Sequence, residues 1–289
     1  MNEPLRYAYN TNGCTNHRLY DALDLMADAG YDGVALTLDW HHLDPFAHDW
    51  EDQTRQLQRK LDEYGMGCVI ETGARFLLDP ANKHDPTLLH PEAEGRARRV
   101  AFLKRAVEIG AILQAETVSC WAGIKPMSVT TDEARKYLVE GLRDVLEFAR
   151  ERRVVLSLEP EPGMLIETNA DYDFVRDALP EFREELKLAL DLGHVWVTGE
   201  SEPATAVQKY ADQLGTVSIE GMNRGVHFHL PLHEGDMEIS PLVRALQSVR
   251  FEGLVCVELS RESPRAHLAI PESISYLRDV ERSLATQTH

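Results

Sequence analysis

Four acidic residues each follow directly on a short apolar run of the sequence: Glu159, Asp191, Glu220 and Glu258. If those runs are strands, the acids stand at strand ends, where burying a carboxylate is costly unless a cation or hydrogen bonds compensate for its lost hydration. Taken singly, each acid could be solvated or paired with an arginine of a nearby loop. Four repetitions of the pattern favour a common role at one site.

Imidazole groups cluster in the segment between the last two of these acids. His227, His229 and His233 lie within seven residues, in a chain that has 12 histidines overall. The spacing of His227 and His229 places both rings on the same side of an extended segment, where they could bind one metal or flank it. His194 follows Asp191 by three residues and would reach the same place. The alternative is a polar loop with exposed histidines.

Short β-rich runs alternate with amphipathic stretches whose apolar residues recur at helical spacing. The predicted strands are Arg6–Tyr9, Gly33–Leu38, Met66–Glu71, Thr117–Cys120, Val154–Glu159, Leu186–Asp191, Gly215–Glu220 and Gly253–Glu258. The predicted helices are His17–Ala29, Trp50–Tyr64, Gly95–Gly110, Asp132–Arg152, Asn169–Ala178, Pro203–Leu214, Ser240–Val249 and Pro271–Leu284. Eight such pairs without a linker or low-complexity tract favour one α/β domain, a (β/α)8 barrel, over two nucleotide-binding halves.

Catalytic groups of such a barrel lie at the carboxyl ends of its strands. Glu159, Asp191 and Glu258 would therefore converge on one mouth from the fifth, sixth and eighth predicted strands. Their mutual repulsion calls for a positive centre, and a divalent metal held by carboxylates and one imidazole supplies it.

The order of these motifs resembles the xylose-isomerase-like TIM-barrel superfamily of sugar (phosphate) isomerases and epimerases, over essentially the full chain, as a single domain of residues 1–289. The matching segments are Leu156-Ser-Leu-Glu159-Pro-Glu-Pro-Gly163, Ile166-Glu167-Thr168, Leu188-Ala-Leu-Asp191-Leu-Gly-His194, Glu234-Gly235-Asp236 and Gly253-Leu-Val-Cys-Val-Glu258-Leu. The order is specific to the superfamily and carries little information about the substrate.

The resemblance implies roles for individual residues. In the ketose 3-epimerases of the superfamily, two Glu, one Asp and one His hold one divalent ion, usually Mn²⁺, and the two Glu exchange the proton. Carried over, Glu159 and Glu258 are catalytic residues and metal ligands, Asp191 is a ligand, and His194 contacts a sugar or polyol substrate. Zn²⁺, Mg²⁺ and Co²⁺ are the alternative ions. A metal-stabilised enediolate would form beside the substrate carbonyl.

The metal-binding histidine is where this sequence departs from the superfamily. Its usual place in the seventh strand is matched here by Ser218. Either His229 or His227 replaces it from the following segment, or the seventh strand is Val226–Leu230. We expect His229 to be the ligand, with His227 close by as the alternative ligand or a substrate contact.

Three further residues are candidates for substrate binding. Glu71 ends the third predicted strand, although a salt bridge to Arg75 is an equal alternative. Trp121 could stack on a sugar ring or simply pack over the barrel. Glu167 could contact the substrate or hold the loop that follows Glu159. The long loop Leu77–Pro91 could fold over the mouth as a lid.

Composition excludes some classes of partner. The chain has 289 residues with 30 Lys+Arg against 48 Asp+Glu, a net charge of −18 that opposes nucleic-acid binding. No apolar run is long enough to span a bilayer, and no signal peptide is apparent. Four dispersed cysteines indicate reduced thiols and a cytoplasmic protein. No cluster of Arg and Lys suggests a phosphate clamp, which favours an unphosphorylated sugar. A homo-oligomer is left open.

Three other functions compete with an isomerase or epimerase. A keto-sugar or inosose dehydratase or lyase would use the same site. A zinc-dependent apurinic endonuclease shares the barrel and the Asp-x-x-His turn, but needs three metal ions and histidines from the second and third strands. A barrel without catalytic activity has no need for both Glu159 and Glu258.

Overall fold

Eight parallel strands close into a barrel in the computed structural model, which describes residues 4–286. The barrel strands are β1 (Arg6–Asn10), β2 (Gly33–Thr37), β3 (Gly67–Glu71), β4 (Thr117–Trp121), β5 (Leu156–Glu159), β6 (Leu186–Asp191), β7 (Leu214–Ile219) and β10 (Leu254–Val257), separated from β7 by the short strands β8 (Gly221–Asn223) and β9 (Val226–Leu230). Their order around the barrel is β1-β10-β7-β6-β5-β4-β3-β2. The predicted (β/α)8 barrel is confirmed. The outermost residues of the predicted domain, 1–3 and 287–289, lie outside the described part.

Helices surround this barrel. They are α1 (Leu19–Ala29), α2 (Trp50–Tyr64), α3 (Ala93–Leu113), α4 (Thr131–Arg152), α5 (Asn169–Ala178), α6 (Leu192–Thr198), α7 (Pro203–Lys209), α8 (Ile239–Ser248) and α9 (Ala266–Thr286). The predicted elements are present, with strand ends within two residues of expectation. Helix α9 begins five residues before the predicted Pro271, which lies inside it. Helix α6, only seven residues long, was not predicted.

Local signals explain where the helices begin and end. Thr130 and Glu133 form a capping box at the start of α4, in which each side chain accepts a hydrogen bond from the other residue's backbone N–H. Leu138 and Leu142 face the core at helical spacing. Helix α1 ends at Gly30, whose φ of 89° suits a left-handed cap. These signals were readable in the sequence.

Small apolar side chains fill the barrel interior beneath the carboxyl ends of the strands. All five residues of β2 are buried, as expected for a parallel strand with both faces covered. Gly33 leaves room for Leu254, because a β-carbon at Gly33 would lie 2.6 Å from a Leu254 methyl group. Ala8, Ala35 and Cys256 complete this small interior cluster with Val69. Side chains at the carboxyl ends of the strands therefore line the accessible mouth.

The segment after β7 forms a two-stranded hairpin instead of an extended loop. β8 pairs antiparallel with β9, and Gly225 turns the chain with a φ of 72°. The alternative that Val226–Leu230 is the seventh barrel strand is therefore wrong, and the predicted Gly215–Glu220 is shifted by one residue. The hairpin carries His227 and His229 on a defined scaffold.

The four cysteines, Cys14, Cys68, Cys120 and Cys256, are buried and unpaired, as expected for reduced thiols. Within residues 4–286, none of the helices has the length and hydrophobicity needed to cross a membrane.

Helix packing against the barrel predicts a clear contrast between two leucines. Leu138→Ala should lower the free energy of unfolding by about 2–5 kcal/mol, because Leu138 is fully buried and its truncation leaves a cavity. Leu268→Ala, at a position that is 44% exposed, should change it by less than about 0.5 kcal/mol. Urea denaturation followed by circular dichroism measures both, and equal losses would contradict the packing.

Candidate active site

A cavity of about 300 Å³ lies at the carboxyl ends of the barrel strands. Its size suits a single sugar. The predicted acids Glu71, Glu159 and Glu258 line it, as do the predicted His194, His227, His229 and Trp121. Residues that are up to 187 positions apart in the chain (from 71 to 258) are thus brought to one mouth, as the strand-end argument predicts.

Asp191 lies beneath this cavity at the junction of β6 and α6. It is only 2% exposed. Its Oδ1 accepts a 2.7 Å hydrogen bond from the backbone N–H of His194 and so caps α6. Within residues 4–286, its buried Oδ2 has no hydrogen bond of good geometry and lies 3.6 Å from His194 Nε2. Burial acts to raise the pKa of Asp191, but the charge of the neighbouring imidazoles of His194 and His229 holds it below its usual value. Burial, and then the charge of Asp191, raise the pKa of the adjacent Glu220 well above its usual value, so Asp191 is the ionised member of this pair.

Three imidazoles meet above Asp191. His227 Nε2 lies 3.1 Å from His194 Nε2 and 3.3 Å from His229 Nε2. The Nδ1 atoms of two of these rings are hydrogen-bonded to backbone carbonyls. His194 Nδ1 donates to the Pro160 carbonyl at 3.0 Å, and His229 Nδ1 donates to the Glu258 carbonyl at 3.2 Å. A ring that donates from Nδ1 and carries no second proton leaves its Nε2 lone pair open, and His227 can donate to only one of the two. A divalent ion would take the place of a proton on these rings.

This donor set fits a divalent cation. Backbone carbonyls that fix the far nitrogen of an imidazole are typical partners of metal-binding histidines. Ligand atoms of Asp191 lie within 4.8 Å of those of Glu159 and His194, and also within 4.8 Å of those of Glu220 and His229. The same limit holds for the three imidazoles. The Oδ2 of Asp191 and the Nε2 atoms of the imidazoles are the groups that would hold such an ion in place of protons.

Glu258 is held differently from the other acids. Its Oε1 accepts a 2.8 Å hydrogen bond from the side-chain amide of Asn12, at the end of β1. Among residues 4–286, Glu258 does not belong to any of the three sets of side chains described above, in which all ligand atoms lie within 4.8 Å of one another. The structure thus brings Glu258 into the cavity, on the side facing β1.

Crowding raises the pKa of several carboxyl groups in the cavity. Burial, and then the charge of Glu258, raise the pKa of Glu71 to about 8. The same two causes raise the pKa of Glu161 to about 8. Burial, followed by the negative charges of Glu161 and Glu258, raises the pKa of Glu159 well above its usual value. This excess of negative charge is what a bound cation would offset.

Two acidic site residues were given no role by the sequence. Glu161 lines the cavity two positions after Glu159, within a motif that was recognised as a whole. Glu220 is fully buried, and neither carboxyl oxygen has a hydrogen-bond partner in the part of the chain that is described. It packs so closely on Gly193 that a β-carbon there would overlap its Oε1. Its position directly after an apolar strand was the available signal.

Other expectations need correction or refinement. Glu167 is exposed and does not line the cavity, and its carboxylate accepts a 3.0 Å hydrogen bond from Gly163 N, which supports the loop-holding role over substrate contact. Arg75 does not pair with Glu71; its NH1 lies 3.7 Å from Asp39 Oδ2. Trp121 is 7% exposed yet lines the cavity. Of the long loop 77–91, Lys83 and His84 reach the cavity.

Comparison with known proteins now identifies the family. Residues 23–280 match the model of the family described as xylose isomerase-like TIM barrel. The chain belongs to this family. The chain is similar to an uncharacterized protein of Methanocaldococcus jannaschii. The two are 22% identical over 204 residues, which cover 68% of this chain and 73% of that protein.

Solved structures share the fold at low sequence identity. A D-tagatose 3-epimerase-like protein is 16% identical, with a TM-score of 0.78 over 99% of this chain and 100% of its own. The IolI protein with a bound zinc atom is 16% identical, with a TM-score of 0.76 over 96% and 98%. D-allulose 3-epimerase from Methylomonas sp. in complex with D-allulose is 16% identical, with a TM-score of 0.72 over 96% and 97%. These likenesses establish the architecture.

The donor set predicts metal content. Elemental analysis of the purified protein should give about one divalent ion per chain. Asp191→Asn and His229→Ala should each retain less than about a tenth of it, because each removes a direct donor. His233→Ala is the matched control, since His233 lies on the same segment but outside the ligand groups. Full retention in Asp191→Asn would contradict the site, and three ions per chain would favour the nuclease alternative.

The raised pKa of Glu71 predicts a pH dependence of stability. Between its ordinary value of 4.5 and about 8, the folded protein keeps a proton that the unfolded chain has lost. The folded state therefore binds more protons in this window, and its stability falls as pH rises. Metal-free protein should lose melting temperature between about pH 5 and pH 9, and Glu71→Gln should lose less. The control is Glu63→Gln, at an exposed position of α2. Identical slopes in all three proteins would contradict the assignment.

Proposed function

We propose that the protein is a divalent-metal-dependent isomerase or epimerase of a sugar, keto-sugar or polyol. The observation that carries this proposal is the convergence of Glu159 and Glu258 on one sugar-sized cavity above Asp191 and its imidazoles. The epimerases among the similar structures support the same class of reaction. At 16% identity, these structures do not indicate which sugar this chain acts on.

Glu159, Asp191 and His229 would hold the ion, with His227 as the alternative imidazole. Glu258 is the fourth expected ligand; it lies outside the groups of close ligand atoms and would have to approach them from the β10 side. Mn²⁺ is the first choice because the ketose 3-epimerases that the sequence resembles usually hold it, and a zinc-containing structural neighbour keeps Zn²⁺ among the alternatives. When bound, the ion supplies a positive charge that polarises the substrate carbonyl.

The two glutamates would carry the proton. One removes the hydrogen from the carbon beside the carbonyl, and the electron pair of the broken C–H bond moves towards the carbonyl oxygen. The other returns a proton to the opposite face of the same carbon, giving an epimer. Alternatively it protonates the former carbonyl carbon while the proton of the neighbouring hydroxyl moves to the former carbonyl oxygen, giving an isomer. Glu159 on β5 and Glu258 after β10 stand three strands apart around the eight-stranded barrel, and so address the cavity from different sides.

The remaining lining residues would orient the sugar. Trp121 offers an apolar ring face, held between Arg99, whose Cζ lies 4.4 Å from the ring centroid, and the edge of His84. Glu71, His194 and His227 offer groups for hydroxyl hydrogen bonds. A dehydratase or lyase would use the same groups and expel a hydroxide where the isomerase adds a proton.

The endonuclease alternative has less support. The β3 end contributes Glu71 where that class needs a histidine. After β2, the Nε2 of His42 is bonded to the His17 carbonyl at 3.1 Å, away from the cavity. The net charge of −18 further opposes a nucleic-acid substrate.

Glutamine substitution tests the proton carriers. Glu159→Gln and Glu258→Gln should each lower the rate of isomerisation and of hydrogen–deuterium exchange on ketohexoses by about 10²-fold or more, because neither amide can take the proton. Glu140→Gln, on an exposed face of α4, is the control. Proton NMR in D₂O measures exchange, and circular dichroism confirms folding. Unchanged exchange in both cavity variants would remove the acid–base assignment.

A further inference from the structure

Three basic side chains line the cavity that holds the acidic groups. Arg75 and Lys83 come from the loop after β3, and Arg261 comes from the segment after β10. We call these residues the cationic rim. They are separated by up to 186 positions in a chain of net charge −18 (from 75 to 261), so their meeting at one cavity is a property of the fold.

The loop after β3 holds Arg75 and Lys83 side by side. His84, next to Lys83, donates from its backbone N–H to the Arg75 carbonyl, and its Nδ1 bonds the Gly73 carbonyl. Arg75 has a φ of 40° and follows Ala74 with a φ of 61°, a left-handed conformation that non-glycine residues adopt rarely and mainly at functional sites. Arg75 NH2 donates to the Asn12 carbonyl at 3.0 Å, which fixes its guanidinium beside the residue that binds Glu258.

Arg261 is positioned by stacking. Its Cζ lies 4.0 Å from the ring centroid of Phe228, which also lines the cavity between His227 and His229. Stacking leaves the edge donors of the guanidinium free, and these donors match the geometry of a carboxylate or phosphate.

Lys83 and Arg261 form no ion pair with any acid among residues 4–286. Arg265, only four positions after Arg261, is paired instead, at 2.8 Å from Glu262 and 3.3 Å from Glu272. Burial raises the pKa of Glu161 and the charge of Lys83 acts against it, so Lys83 offsets part of the negative charge of the cavity without contacting an acid. The donors of Lys83 and Arg261 at this substrate-sized cavity are therefore available to an anionic group.

We propose that the cationic rim binds an anionic group of the substrate, a carboxylate or a phosphate on the carbons remote from the reacting carbonyl. This inference rests on the proposed function and narrows its substrate class to anionic sugars. The expectation of an unphosphorylated sugar came from the absence of a local cluster of Arg and Lys in the sequence; a sugar carboxylate agrees with it, and a sugar phosphate would overturn it.

Binding of matched sugars tests the proposal independently of turnover. The Mn²⁺-loaded protein is titrated calorimetrically with D-fructose, D-fructuronate and D-fructose 6-phosphate, which share a ketohexose chain and differ at its far end. At least one anion should bind about 10-fold or more tightly than fructose, the effect expected of a hydrogen bond between charged groups. Preference for fructuronate alone assigns a carboxylate, and preference for the phosphate alone assigns a phosphate.

Variants separate rim binding from coordination of the anion to the metal. Lys83→Met and Arg261→Met should each reduce the preference about 10-fold, and Lys83→Arg should restore most of it. Lys136→Met, on an exposed face of α4, removes the same charge elsewhere and should keep the preference. The proposal is overturned if neither anion binds more tightly than fructose, or if the preference survives in both rim variants. Absence of hydrogen exchange on all three sugars would count against the proposed isomerase alone.

Discussion

Repulsion among carboxyl groups at one end of the barrel is the constraint on which the site depends. Closing the barrel forces the ends of β3, β5, β6 and β10 together, and each ends in or is followed by an acid. Burial first, and then the charges of neighbouring carboxylates, raise the pKa values of Glu71, Glu159 and Glu161, so their simultaneous ionisation is unfavourable. Asp191 is the exception, because the surrounding imidazoles keep it ionised. A site that concentrates charge in this way is stable only with protons or a cation in place.

The imidazoles show how a barrel supplies a donor that its strand lacks. Ser218 occupies β7, level with Asp191 in the β6–β7 register. The hairpin that follows folds back over the mouth and presents His227 and His229 from above. Because His194 and His229 each bond a backbone carbonyl through Nδ1, the backbone itself selects the tautomer that leaves Nε2 open. The hairpin therefore presents the imidazole that we expected from the strand on the basis of the superfamily resemblance.

The sequence predicted what local patterns encode. Apolar runs of β-rich residues located the strands, and residues directly after those runs located Glu159, Asp191 and Glu258. Helix α6 was missed because seven residues are too few for a periodic signal, and its cap, Asp191, was interpreted only as a ligand. The hairpin was interpreted as a loop because its exposed face is rich in histidine. Glu220 had the right position but no recognisable motif. Lys83 and Arg261 could not be associated, since only the closed barrel brings them to one cavity.

The opposed charges of the cavity give it a direction. Glu159, Asp191 and the imidazoles lie towards β5, β6 and the hairpin, whereas the basic side chains belong to the segments that follow Glu71 of β3 and Glu258 after β10. A neutral sugar could enter such a cavity in several orientations with similar contacts. A sugar with one anionic end is attracted to the rim by that end, which leaves its carbonyl end facing Glu159 and Asp191. Orientation obtained in this way reduces the entropy that the reacting groups must lose before proton transfer. Arg75 is bonded to Asn12, which also binds Glu258, so the rim that orients the substrate is joined to one of the two residues proposed to move the proton.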